Sequence, residues 1–95
     1  MLRIERLIWL EDIVDKLIWK HGVEEHEARE VLAASPLFRF VEKGHRKDEN
    51  VYSALGQTTS GRYLVVFFVY KVDRSALILS ARDMTRKERR LYERR

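Results

Sequence analysis

The chain has 95 residues, of which 45% are hydrophobic and 36% charged, a make-up that fits one globular domain and is too apolar for intrinsic disorder. It carries no cysteine, which excludes disulfides and thiolate metal sites and suits a reducing cytoplasm. Lysine and arginine outnumber aspartate and glutamate by 19 to 15, and the whole surplus lies in residues 82–95, residues 1–81 being balanced.

In chain order, residues 3–9 are apolar at Ile4, Leu7, Ile8 and Trp9, an imperfect alternation that predicts a short edge strand. From Glu11 to Lys20, the positions Ile13, Val14, Leu17 and Ile18 form one apolar helical stripe. Glu11 and Asp12 suit the positive end of that helix, Lys20 and His21 its negative end, and Gly22 stops it. A second helix is expected from Glu24 to Ala34, with Ala28, Val31 and Leu32 toward the core and Pro36 barring its continuation. The period then becomes strand-like: Leu37–Val41, Val51–Gln57, Arg62–Lys71 and Ala76–Arg82, separated by a charged loop at 42–50 and turns at 58–61 and 72–75. Thr85-Arg86-Lys87-Glu88 reads as a capping box opening a last helix that runs to about Arg94.

The expected order is β-α-α-β-β-β-β-α, an α+β domain whose antiparallel sheet of about four strands carries two N-terminal helices and one C-terminal helix. No repeat or Pro/Gly/Ser linker divides it, so residues 1–95 form a single domain. The longest near-apolar run, Tyr63–Tyr70, is far below the ~20 residues of a membrane-spanning helix. Arg3, Glu5 and Arg6 break up any signal-peptide core. A cytoplasmic domain with no membrane association is expected.

Gly-rich phosphate loops and nucleophile elbows are missing from the sequence. His26 and Glu30 stand i,i+4, but two ligands do not make a zinc site, and neither a metal nor another cofactor is expected. The clustered charge is more informative. Arg82 ends a strand just before the final helix, Glu88 and Tyr92 share one face of that helix, Arg89 lies beside them, and Lys20-His21 end the first helix. Cutting an RNA strand needs a group to take the 2′-hydroxyl proton, cations to hold the extra charge on phosphorus, and a donor for the leaving oxygen. These side chains supply such groups, although Glu88, Arg89 and Tyr92 would also serve simply to cap and pin the helix.

Lys20-His21-Gly22-Val23, followed by Glu27-Ala28 and Val31-Leu32, resembles the opening of the BrnT toxin family, and Trp9 stands eleven residues before Lys20 as the family's tryptophan does. Gly56, Gly61-Arg62 and Leu64 follow the family's hairpin. Ser80-Ala81-Arg82, Thr85, Glu88-Arg89 and Tyr92 look like its C-terminal signature. The ordered set spans nearly the whole chain. The resemblance implies a RelE-like fold and the toxin half of a type II toxin–antitoxin pair, a growth-inhibiting ribonuclease that cleaves RNA without a metal. It also implies a ribbon-helix-helix antitoxin partner that caps the toxin, joins two copies in a heterotetramer and alone touches operator DNA.

On this footing His21, Arg82, Glu88, Arg89 and Tyr92 are the candidate catalytic residues. Arg82 and Arg89 would hold the scissile phosphate, and His21 or Glu88 would exchange protons. Lys20, Arg62, Arg86 and Lys87 are the candidate RNA-binding residues. Basic residues common in the family are replaced here by Val51 and Gln57, which leaves an alternative: a non-catalytic relative that binds the antitoxin and regulates the operon.

Overall fold

The computed structural model describes residues 2–95. The elements are β1 (Arg6–Ile8), α1 (Glu11–His21), α2 (Glu25–Ala33), β2 (Leu37–Lys43), β3 (Asn50–Gln57), β4 (Tyr63–Tyr70), β5 (Ser75–Asp83) and α3 (Arg86–Glu93). The order is the expected one, with strand ends shifted by one to three residues. The sheet has five strands rather than about four, arranged β1-β5-β4-β3-β2. Strands β2 to β5 form the expected antiparallel meander, while β1 runs parallel to β5, pairing Leu7 with Ala76. Parallel neighbours need a long crossover, and here the whole of α1 to β4 intervenes. Among the described residues no helix is long and apolar enough to cross a membrane.

The pleat sends alternate residues of β4 to opposite sides. Leu64, Val66 and Phe68 join Ala54, Ala76, Ile78 and Ala81 in a core closed by Leu17, Val23, Ala28 and Val31 from the helical layer. Each large apolar side chain buried there contributes about 1.5–3 kcal/mol. Helix α2 comes unusually near β3 because residue 56 is glycine: a Cβ on Gly56 would stand 2.9 Å from Val31 Cγ1. Gly22 ends α1 in the left-handed conformation, φ 62°, and the turn is closed by Gly22 N–H to Ile18 O and Val23 N–H to Leu17 O, both 3.0 Å. The expected stripe of α1 is narrower than its sequence implies. Leu17 is buried, but Ile18, about 100° further round the helix, is half exposed.

The other face of the sheet carries Tyr63, Val65, Phe67 and Val69 of β4. Helix α3 packs here against β3, where Leu55 and Val65 are fully buried. A bulge at Leu79 shifts the register of β5. Strict alternation from Ala76 and Ile78 would turn Arg82 toward the core of α1 and α2. With the extra residue, Ala81 enters that core instead and Arg82, opposite Val65, emerges on the face shared with α3.

Candidate active site

Helix α3 begins with the capping box read from its sequence. Thr85 Oγ1 accepts from Glu88 N–H at 3.1 Å, and Glu88 Oε1 accepts from Thr85 N–H at 2.8 Å. The same carboxylate receives both ends of the Arg82 guanidinium, Nη1 to Oε1 at 2.7 Å and Nη2 to Oε2 at 2.9 Å. Such a two-point, charge-assisted pair fixes orientation as well as charge. The Arg82 hydrogen bonds hold the Glu88 carboxyl down from 4.5 to about 2, against the opposing cost of burial, and Glu88 in turn raises the Arg82 pKa. Arg82 also lies 5.3 Å from the centroid of the Phe67 ring.

Arg89 and Tyr92 come to the same end of this face, organised by Tyr63. The Arg89 guanidinium lies 3.9 Å from the Tyr63 ring centroid, and Tyr92 meets that ring edge-on at 6.0 Å. The Tyr92 oxygen accepts from Arg95 Nη2 at 2.9 Å, leaving the phenolic proton free to be donated. Arg86 and Lys87 are exposed in the first turn of α3. Beside them is a cavity of about 420 Å³ lined by Arg39, Thr85, Lys87, Glu88, Leu91 and Arg94.

Lys20, His21 and Arg62 are placed differently. Asp83 follows Arg82 but points to the opposite face, toward the end of α1. There Arg62 donates from Nε and Nη2 to Asp83 (2.9 and 3.3 Å), from Nη1 to Glu27 (3.1 Å) and Gly22 O (2.7 Å), and from Nη2 to His21 O (3.1 Å). All five guanidinium N–H groups are thereby engaged. The hydrogen bonds with Asp83 raise the Arg62 pKa and lower that of Asp83. In this arrangement Arg62, expected from the sequence to bind RNA, spends its donors within the fold and ties α1 and α2 to the strand ends. Lys20 and His21 end α1 on this helical side and do not line the cavity beside Glu88. The residues grouped from the sequence therefore fall into two clusters on opposite faces of one sheet end. Asp83 links them, its carbonyl accepting from Arg82 Nη1 at 3.0 Å and its carboxylate binding Arg62.

Glu88, expected from the sequence as one of two proton exchangers, is placed to orient Arg82. Its oxygens already accept three hydrogen bonds, and it stays ionised down to about pH 2, whereas an efficient base has a pKa near the working pH. Residues not singled out from sequence complete the picture: Tyr63 under Arg89, Asp83 and Glu27 around Arg62, and Arg39 in the cavity wall. A basic residue on a strand facing a basic helix was the available signal for Arg39. Among the described residues no group of three or more His, Cys, Asp or Glu side chains is placed to hold a metal. His26 is exposed, and Glu30 accepts from Thr59 N–H at 3.0 Å.

A family model described as the ribonuclease toxin BrnT of type II toxin–antitoxin systems matches residues 9–88. The fold is similar to the crystal structure of the Brucella abortus ribonuclease toxin BrnT, with a TM-score of 0.59 and 19% identity, over 85% of this chain and 97% of that one. No curated protein sequence matches.

Proposed function

The chain belongs to the BrnT family of type II toxin–antitoxin ribonuclease toxins, and from that membership we propose that it is a growth-inhibiting endoribonuclease that cuts RNA without a metal ion. A toxin of this class has an antitoxin partner. The resemblance in the sequence supports a ribbon-helix-helix antitoxin, a heterotetramer that reaches operator DNA through it, and a cytoplasmic setting. The observation that carries the catalytic reading is Arg82, oriented by Glu88 on the face shared with a strongly basic helix.

In this reading Arg82 and Arg89 hold the non-bridging oxygens of the scissile phosphate and neutralise the charge that grows there in the transition state. The 2′-oxygen attacks phosphorus, its proton passes to a water molecule, the bond to the 5′-oxygen breaks, and Tyr92 gives that oxygen its proton; His21, on the opposite face, stands with Lys20 where the strand approaches. The products end in a 2′,3′-cyclic phosphate and a 5′-hydroxyl. Glu88 acts as a positioning residue for Arg82. The RNA strand passes round the end of the sheet near Asp83, with Lys20, Arg86 and Lys87 attracting its backbone, and Arg62 keeps the His21 end of α1 in place.

Purified protein in excess EDTA is expected to cut single-stranded RNA to cyclic-phosphate ends. Arg82→Ala should abolish cutting while circular dichroism shows the fold retained. Intact RNA with the wild-type protein, together with unimpaired growth on induction, overturns the reading. A second reading, an antitoxin-binding module without catalysis, draws on Val51 and on Gln57, whose amide donates to Gly61 O at 3.1 Å within its own turn. It expects a tight antitoxin complex and no cleavage.

A further inference from the structure

The cavity between β2 and α3 is unlike the rest of the charged surface. Lys87, Leu91 and Arg94 lie at i, i+4 and i+7 on one side of α3, so they share a face, and Arg39 opposes them from β2. In β2, Arg39 pairs with Ser53, which places it on the face of the sheet that bears Arg82. Among the described residues Arg39, Lys87 and Arg94 form no ion pair, whereas Arg82, Arg62, Lys71 and Arg89 all do. The one carboxylate in the wall, Glu88, is already committed to Arg82. Three like charges thus border one space of about 420 Å³ without a counter-charge of their own. They repel one another until an anion enters.

We infer that this cavity is a second phosphate subsite, which grips a phosphodiester of single-stranded RNA next to the one held by Arg82, with Arg39 as its β2 contact and Lys87 and Arg94 as its α3 contacts. The inference rests on the ribonuclease reading for the identity of the polyanion. Glu88 joins the two sites, one side of its carboxylate group holding Arg82 and the residue itself lining the cavity. An anion in the cavity is therefore a near neighbour of one at Arg82, and a backbone with regularly repeated charges fills both. The planar fork of arginine suits two-point contact with phosphate oxygens, and Leu91 gives the cavity an apolar strip against which a sugar or base edge can rest. An acidic protein segment is the competing occupant.

The test separates binding from cutting by using a fluorescent 2′-O-methyl oligonucleotide, which lacks the attacking hydroxyl. Its affinity for Arg39→Ala, Lys87→Ala and Lys16→Ala is measured by anisotropy across a salt series. Lys16 removes the same charge from the exposed side of α1. Each phosphate contact to a single strand contributes about 0.7 to the slope of log affinity against log salt. Arg39→Ala and Lys87→Ala are each expected to weaken binding several-fold and flatten the slope by about that amount, while Lys16→Ala leaves both unchanged. Equal effects from all three variants, or no binding by the wild type, overturn the subsite. So does an Arg39→Ala variant that loses affinity for an acidic peptide but not for RNA. If wild-type protein cuts RNA while Arg39→Ala binds normally, the subsite fails and the ribonuclease reading stands. If binding depends on Arg39 but nothing is cut, the subsite stands and the catalytic reading fails.

Discussion

Glu88→Gln removes the charge that holds Arg82 while keeping the shape of the side chain. Lowering a carboxyl from 4.5 to about 2 corresponds, at ~1.36 kcal/mol per tenfold change in proton affinity, to roughly 3 kcal/mol. The pair is partly open to solvent, with 34% of the Arg82 and 20% of the Glu88 side chain exposed, so screening reduces the expected loss at pH 7 to about 1–2 kcal/mol. Because the folded-state pKa is depressed, the stabilisation is complete above the unfolded value of 4.5 and fades as pH falls from there toward 2. Urea denaturation of the wild type and Glu88→Gln, followed by circular dichroism at several pH values, reads this directly. The gap between the two proteins should be constant from pH 8 to 5 and should narrow progressively below that. A gap that persists undiminished at pH 3, or no gap at pH 7, refutes the assignment of this carboxylate as an ionised partner of Arg82.

Gly56→Ala places a methyl group 2.9 Å from Val31 Cγ1 and 3.4 Å from Val31 O, in a fully buried contact, and should cost about 1–3 kcal/mol of stability through overpacking. A denaturation midpoint equal to that of the wild type would mean that α2 does not press on β3 as described. Arg62→Lys should destabilise nearly as much as Arg62→Ala, because an ammonium offers three donors from one point where the native network uses five from a planar fork. If lysine restores the wild-type melting temperature, charge rather than geometry holds the strand ends to α1.

The helices and the meander were legible because their signals are local. Gly22 marks the end of α1, Pro36 lies beyond α2, and Thr85 with Glu88 opens α3. The parallel pairing of β1 was not legible, since three residues at a sheet edge carry no signal of the strand beside them. The site divided in the same way. Arg82, Glu88, Arg89 and Tyr92 stand within eleven residues of one another and come together. Lys20 and His21 lie some sixty residues away, and which face of the sheet each reaches depends on strand phase. The Leu79 bulge sets that phase, and nothing in the run Ala76–Asp83 announces it. Arg39 was missed for a related reason: its partners across the cavity are fixed by the register of β2 on β3 and by the crossing of α3, both long-range features. Val51 is read from sequence as a lost cation, yet the β2 strand beside it brings Arg39 to the same face, two pairings further along.

Helix α3 has no fully buried residue. Besides covering Leu55 and Val65, it is held by a capping box, one ion pair to Arg82 and the contacts of Arg89 and Tyr92 with the Tyr63 ring. The ionic part of such an attachment loosens as salt rises. The helix that carries Arg86, Lys87, Arg89 and Arg90 is thus fastened partly through charge, so a polyanion arriving there competes for an arginine that also holds the helix down.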